Sequence, residues 1–350
     1  MSNLLIIFGS KSVEHEISII TTYQIKDYLK NYNIYMLYIS KDKGLYLINN
    51  KTKLDDFKDI NKIIKKSKKV KFVNKGIKKG LKKIYIDMAL LCLHGTYGED
   101  GIIPSILDFY DIYYTSSKFN NLAVCHDKVY FKDILKANNI KTLDYTYLLE
   151  NEEYNNEIKY PIIIKPSSLG SSIGIKIIND LKEFDYKEIF KYDKKVLIEP
   201  FLINFKEYNM AIRRINNNID YSLIEEVIKS DKILSYNNKY LNNNQESKRI
   251  LPAKINKDLE KEIKDISLKL SRIFDIQGVC RIDFIYYENN LYVSEINLIP
   301  GALSHYLFKD KKEIYFDCLI KESFKYHRNR LDKIYSFSSN VLNLNNKLKK

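Results

Sequence analysis

Apolar positions along this chain fall into two patterns, short unbroken runs and longer stretches where they recur every three or four residues. Residues 3–8 form an unbroken apolar run ending at Gly9, which reads as a buried strand. A helical spacing follows from about Glu16 to Leu29. Strands are expected again at 34–39 and 84–93, with a hairpin-like segment at 43–48 between them. This alternation predicts an open α/β domain with a mainly parallel sheet. Residues 119–137 read as one helix carrying CHDKVYFKDIL, and strands at 143–149, 161–165 and 173–178 then make a small α+β module. Farther on, strands alternate with Asn-rich loops at 216–218 and 242–244, and a long helix covers 257–274. Strands at 279–287 and 291–296 form a hairpin turning at Glu288-Asn289-Asn290, and residues beyond about 331 read as a basic tail.

Composition changes this picture little. A chain of 350 residues divides into two or three domains, and 45% apolar with 29% charged residues describes an ordinary soluble protein. No stretch has the apolar length of a membrane span, and Leu4 to Phe8 is too short for a signal segment, so the cytoplasm is the expected location and no membrane partner is expected. Cys92, Cys125, Cys280 and Cys318 stand far apart, which suggests neither a zinc site nor a disulfide framework. The formal charge of +14 raises the question of nucleic acid, but the excess is spread through solvated-looking segments such as 61–83 and 345–350. Nucleic acid is therefore not expected as a partner.

Several local constellations carry possible chemistry. The stretch IIIKPSSLGSSIGIKII, residues 162–178, sets a Ser/Gly-rich loop between two isoleucine runs, with Lys165 at its entrance. Exposed backbone N–H groups and hydroxyls suit a phosphate, although a plain polar turn has the same composition. SVEHEIS (12–18) follows the first strand, where α/β domains place ligands; Glu14 and Ser18 serve there either a site or a helix cap. LHGTYGEDG (93–101) places His94, Glu99 and Asp100 in a glycine-rich turn. Lys128 lies on a helix, and Lys165 is set apart from surface lysines by its buried strand. In RIDFIYYENNLYVSEINLIPG (281–301), the period of two puts Arg281 and Asp283 on one strand face, with Glu295 and Asn297 on the matching face of the next. Two carboxylates and an amide oxygen are hard ligands suited to Mg²⁺ bridging phosphates. YNNKYL (236–241) puts Lys239 and Tyr240 in a long polar segment that reads as a mobile loop.

Taken in order, EHE-x-S, HGxxGEDG, the DK helix, KP-x₃-GSSxG, the KY loop and R-x-D…E-x-N-x-x-PG resemble the D-alanine–D-alanine ligase family of the ATP-grasp superfamily, over about residues 3–320. The resemblance implies an ATP-grasp fold of the α/β (α+β) class. An N-terminal open α/β domain (1–118) would precede central (119–198) and C-terminal (199–330) α+β domains that sandwich ATP, with a tail at 331–350. It also accounts for the lack of GxxxxGK[ST] and GxGxxG fingerprints. Lys128, Lys165, Ser172 and Lys239 would then hold phosphates, with the loop 168–174 closing over them. Glu199 would accept from the adenine amino group, Phe201 and Leu202 would lie beside the base, and Glu207 would bind ribose. Asp283, Glu295 and Asn297 would hold two Mg²⁺ ions, or Mn²⁺. Glu14 would bind the first amino acid's ammonium and join Ser171 and Tyr240 in a bonded trio. His94 would neighbour that amino acid's carboxylate, while Arg281 and the Gly301 N–H would stabilise an oxyanion.

The implied function is ATP-dependent joining of D-alanine to a second small D-amino acid, most simply D-alanine, through an acyl phosphate for peptidoglycan precursors, in a homodimer. The alternatives are the same chemistry with D-serine, D-lactate or another small acid as acceptor, and a catalytically silent ATP-grasp binding protein. Three departures from the family pattern stand out: Leu169 replaces an acidic residue, one extra residue separates Glu199 from Glu207, and Tyr306 stands where a serine meets the acceptor carboxylate. Ser304, two residues earlier, or Arg281 is the expected substitute for that serine.

Overall fold

A run such as Leu4–Phe8 offers no polar side chain to water, so it is stable only where both faces are covered. It forms β1 (Asn3–Gly9), with Leu4 through Phe8 all fully buried. The structure, a computed structural model, describes residues 1–155, 157–228 and 248–331. Lys239, Tyr240 and the tail from 332 lie outside the described residues. Helix α1 (His15–Ile25) follows β1, and β2 (Asn33–Ile39) and β8 (Met88–Leu91) pair parallel with β1 on either side. The outer strands β3 (Leu45–Ile48) and β4 (Lys68–Lys69) run antiparallel, giving the order β4-β3-β2-β1-β8. The expectation of a mainly parallel sheet therefore holds only for β2, β1 and β8. The turn between Ile39 and Leu45 is too short for a parallel crossover.

The expected strand 84–93 is two strands. Asp87, between them, takes the Asn3 N–H on its carboxylate at 2.7 Å, and Ile86 N donates to Lys75 O at 3.1 Å. The first part, β7 (Lys82–Tyr85), closes a separate antiparallel sheet with β5 (Lys71–Val73) and β6 (Gly76–Lys79). The lysine-rich segment 61–83 is thus structured, containing most of α2 (Ile60–Lys66) and burying Val70, Phe72 and Ile77 between its outward lysines. Helix α3 (Ile102–Phe109) completes this region.

The expected helix 119–137 is broken at Asp127 into α4 (Phe119–His126) and α5 (Lys128–Ala137). Asp127 takes an extended backbone and caps α5 by accepting from Val129 N and Tyr130 N at 3.0 and 3.2 Å. Ser167 Oγ and Lys195 Nζ also bind this carboxylate, which fixes the start of α5, and with it Lys128, to the loop after β10 (Ile162–Pro166).

That strand belongs to an antiparallel sheet with β9 (Thr146–Leu149), β11 (Lys176–Ile178) and β12 (Lys195–Pro200), ordered β11-β10-β12-β9 and backed by the short α6 (Tyr186–Ile189). A fourth sheet contains β13 (Lys206–Ile215), β14 (Asn218–Ile228), β15 (Lys248–Ile250), β16 (Val279–Tyr287) and β17 (Asn290–Asn297), ordered β15-β14-β13-β16-β17. Helix α7 (Lys257–Ile273) begins where Asn256 Oδ1 accepts from Leu259 N at 2.8 Å, and it buries Leu259, Ile263 and Leu270 at helical spacing. The chain ends its described course in α8 (Lys312–Leu331).

Gly9 ends β1 at φ +91°, and a Cβ there would lie 2.3 Å from Ile39 O. Gly9→Ala is therefore expected to lower unfolding stability by about 1–3 kcal/mol, read as a lower denaturant midpoint with unchanged slope. An unchanged midpoint would mean that β1 and β2 are not held this close.

Candidate active site

The two antiparallel sheets face each other across a cleft, and the strand period decides which side chains enter it. On β10, Ile162 and Ile164 are buried while Lys165 reaches the cleft. On β16, Ile282 and Phe284 are buried while Arg281 and Asp283 point the other way. The hairpin register sets Asp283 directly opposite Glu295 and Arg281 opposite Asn297, so all four share one face. One cavity is lined by Lys128, Lys165, Ser171, Ser172, Glu199, Phe201, Leu202, Glu207, Asp283 and Glu295. A smaller one adjoins it, lined by Glu14, His94, Glu99, His126, Ser171, Arg281, Asn297 and Gly301. A larger cavity than either, about 830 Å³, lies elsewhere, between β14 and residues 252–255 and 308–310. Arg213 there spends its contacts on Asp220 and Asp310 within the wall, and none of the expected site residues lines that cavity.

The Ser/Gly loop lies closed over the junction of the two smaller cavities. Ser171 Oγ donates to the Glu14 carboxylate, and Lys128 Nζ donates to Leu169 O at 2.6 Å. Gly95 and Gly170 both back onto Glu14, where an added Cβ would come within 3.0 and 3.1 Å of its carboxylate. The glycines thus leave room for a nearly buried acid. Below it, His94 Nε2 meets Thr21 Oγ1 at 3.0 Å and Nδ1 faces Glu99 at 3.6 Å. Burial opposes a charge on His94, but Glu99 and Glu14 more than offset it and raise the imidazole above its usual range. His126, at 3.8 Å from the other Glu99 oxygen, is a neighbour that no sequence motif marked.

Glu199 has more partners than the sequence suggests. Its carboxylate takes Lys132 Nζ on one oxygen and Lys165 Nζ on the other, both at 2.6 Å. Burial would raise this acid, yet the two ammonium groups hold it down to about 2. Lys132 is 1% exposed and also donates to Thr142 Oγ1 at 2.5 Å. A lysine four positions after Lys128, one helical turn on, is the only trace of it in the sequence.

Asp283 accepts from Arg281 Nε and Nη2, each at 2.7 Å, and from Asn297 Nδ2 at 3.3 Å. Burial raises its carboxyl to about 6, with Arg281 opposing and Glu295 and Glu207 adding to the rise. Asp283 and Glu295, paired directly across the hairpin with the Asn297 amide beside them, are hard oxygen donors of the kind that fits a divalent cation. Among the described residues no three carboxylate, histidine or cysteine side chains converge as a ready-made ion site, so Asn297 and ligand oxygens would have to complete the shell.

Ser304 requires a correction. Ala302, Leu303 and Ser304 run through left-handed conformations after Pro300, a turn that leaves Gly301 at the cavity and rotates Ser304 inward. Ser304 is fully buried, so it does not line a substrate pocket. The phenol of Tyr306 accepts from Arg249 Nη1 at 3.2 Å.

Comparison with known proteins follows the same lines. The family model described as the D-ala D-ala ligase N-terminus matches residues 3–117, and the one described as the C-terminus matches residues 133–320. The D-alanine--D-alanine ligase of Thermosipho melanesiensis is 38% identical, over 98% of this chain and 99% of its own length. Among solved structures, the D-alanine–D-alanine ligase of Helicobacter pylori aligns with a TM-score of 0.77 at 31% identity, covering 92% of this chain and 98% of that one. The VanG D-Ala:D-Ser ligase of Enterococcus faecalis aligns at 0.79 with 22% identity, over 92% of this chain and 99% of that one, a likeness of fold alone.

Proposed function

The chain belongs to the D-alanine–D-alanine ligase family, and from that premise we propose that it joins two D-alanines with ATP through an acyl phosphate, using the residues of the cleft. The observation that carries this assignment is the convergence of Lys128, Lys165, Asp283 and Glu295 on one cavity that opens onto Glu14 and Arg281.

Glu14 receives the ammonium of the first D-alanine, and His94, whose charged form Glu99 favours, lies beside its carboxylate. A carboxylate oxygen attacks the γ-phosphorus, the bond to the β-phosphate oxygen breaks, and ADP leaves. Lys128 and Lys165 offset the repulsion between the carboxylate and the phosphates. The amine of the second D-alanine then attacks the acyl carbon, and the oxyanion formed there faces Arg281 and the Gly301 N–H. Collapse expels phosphate, and the nitrogen loses its proton as the amide forms. Phe201 and Leu202 cover the adenine, Glu199 accepts from its amino group and Glu207 binds the ribose; Ser172 joins the lysines at the phosphates, and Lys239 and Tyr240 complete the set from outside the described residues. Asp283, Glu295 and Asn297 would hold Mg²⁺, which when bound supplies positive charge to the phosphates. No helix among the described residues is long and apolar enough to cross a membrane. A cytoplasmic location, a homodimer, and domain limits at 118, 198 and 330 belong to the same proposal, supported by the family resemblance.

The test is mass spectrometry of the products formed from D-alanine, ATP and Mg²⁺. D-alanyl-D-alanine and D-alanine-dependent phosphate release are expected; phosphate release indifferent to D-alanine would overturn the assignment. Within the site, Ser171→Ala removes a hydrogen bond to a charged acceptor and unpins the loop from Glu14. It is expected to lower kcat/KM for D-alanine by about ten- to a hundredfold, the equivalent of about 1.5–3 kcal/mol. A change below twofold would show that the Glu14–Ser171 contact has no part in turnover.

A further inference from the structure

Resting on the functional reading above, we propose that Arg249 binds the carboxylate of the accepting amino acid, in a pocket it forms with Tyr306. The acceptor reaches the acyl carbon through its amine, and its own carboxylate lies only two bonds from that nitrogen. A carboxylate brought into a closed site near Arg281 needs a cation within hydrogen-bond reach. The nearby cations are mostly committed. Lys165 is paired with Glu199, Lys128 lies against the phosphate loop, and Arg281 has two nitrogens on Asp283 at 2.7 Å each.

Arg249 is placed differently. It lies on the edge strand β15, opposite Val227, with its side chain about half exposed. Its Nη1 meets Tyr306 Oη at 3.2 Å and Glu225 Oε1 at 3.4 Å, and the guanidinium carbon lies 5.8 Å from the Tyr306 ring centre. Nε and Nη2 have no hydrogen-bond or ion-pair partner among the described residues. Glu225 is nearly fully buried and also takes Asn209 Nδ2 at 3.3 Å, so it is a fixed post from which the guanidinium is oriented. The Tyr306 phenol lies within the electrostatic reach of both Arg249 and Arg281. The arrangement leaves one edge of a planar fork open, the geometry that receives a carboxylate with two parallel bonds. It also resolves the departure at position 306: the ring takes the volume beside the acceptor, and the carboxylate's donor comes from the neighbouring strand.

The experiment is a competition in one vessel, with D-alanine as donor and D-alanine and D-alaninamide as rival acceptors, ATP and Mg²⁺ in excess, and both dipeptide products weighed by mass spectrometry. Donor, nucleotide and metal effects cancel in the product ratio. Wild-type enzyme is expected to favour the free-acid dipeptide, Arg249→Met to shift the ratio toward the amide by at least tenfold, and Arg249→Lys to recover part of the preference. The apparent KM for ATP should stay within twofold throughout. A role confined to holding Tyr306 and Glu225 would slow both products alike, so an unchanged ratio in Arg249→Met overturns the proposal. An unchanged ratio in Arg249→Lys and in Arg249→Gln does so equally, should the methionine variant not fold. A wild-type enzyme that makes neither product would instead refute the ligase reading itself.

Discussion

Glu295→Gln is expected to reduce turnover by about two to four orders of magnitude while leaving the protein folded. The substitution changes neither the length nor the shape of the side chain, and Glu295 stands half-buried on β17 with its neighbours Val293 and Ile296 in the core. What it removes is a negative charge directly across the strand pair from Asp283. With that charge gone, the remaining oxygens hold a divalent cation less well, and the phosphates meet the attacking carboxylate without its positive charge. The loss should fall on kcat, because the first D-alanine is held by Glu14 and His94 in the adjoining pocket and not by this hairpin. Raising Mg²⁺ should restore part of the rate. The melting temperature should fall by no more than a few degrees. Turnover near the wild-type value at ordinary Mg²⁺ would remove Glu295 from the site.

That this hairpin could be found in the sequence at all follows from the geometry of strands. Side chains alternate with a period of two, so once 281–297 is taken as a hairpin, the sharing of a face by Arg281, Asp283, Glu295 and Asn297 follows without tertiary information. Lys165 was marked differently, by the isoleucine run that identifies its strand as buried. Features that depend on one polar contact or on a distant element were not legible. The break at Asp127 needs Ser167 and Lys195, from two other segments, to hold the cap. The inward turn of Ser304 comes from three consecutive left-handed residues, none of them glycine, which local propensity does not anticipate. Lys132 was hidden for a further reason. In a chain with this many lysines the helical pattern gives no sign that one of them is buried, and only the fold brings Glu199 to it from β12, 67 positions away by sequence number.

That buried pairing is where the largest effect on stability is expected. Glu199→Gln should lower the unfolding free energy at neutral pH by about 3–5 kcal/mol, because it leaves the Lys132 ammonium buried without its counter-charge. Lys165 suffers less, since it lies at the mouth of the cleft. The pH dependence carries a sign that checks the cause. Folding depresses the Glu199 carboxyl from about 4.5 to about 2, so its contribution is fully present above pH 4.5 and is lost as the pH falls toward 2. Wild-type stability should therefore decline steeply through that window, and the decline should be shallower in Glu199→Gln, the two curves converging at the acid end. A second substitution separates charge from shape. Lys132→Met alone leaves Glu199 with one cation instead of two, and it too should destabilise. Placed on Glu199→Gln, however, it removes the stranded charge, so the double variant should be more stable than the sum of the two single losses allows by at least about 1 kcal/mol. Additive losses, together with parallel acid curves for wild type and Glu199→Gln, would show that Lys132 and Glu199 do not act as a pair, and the cleft would then owe its rigidity to packing alone.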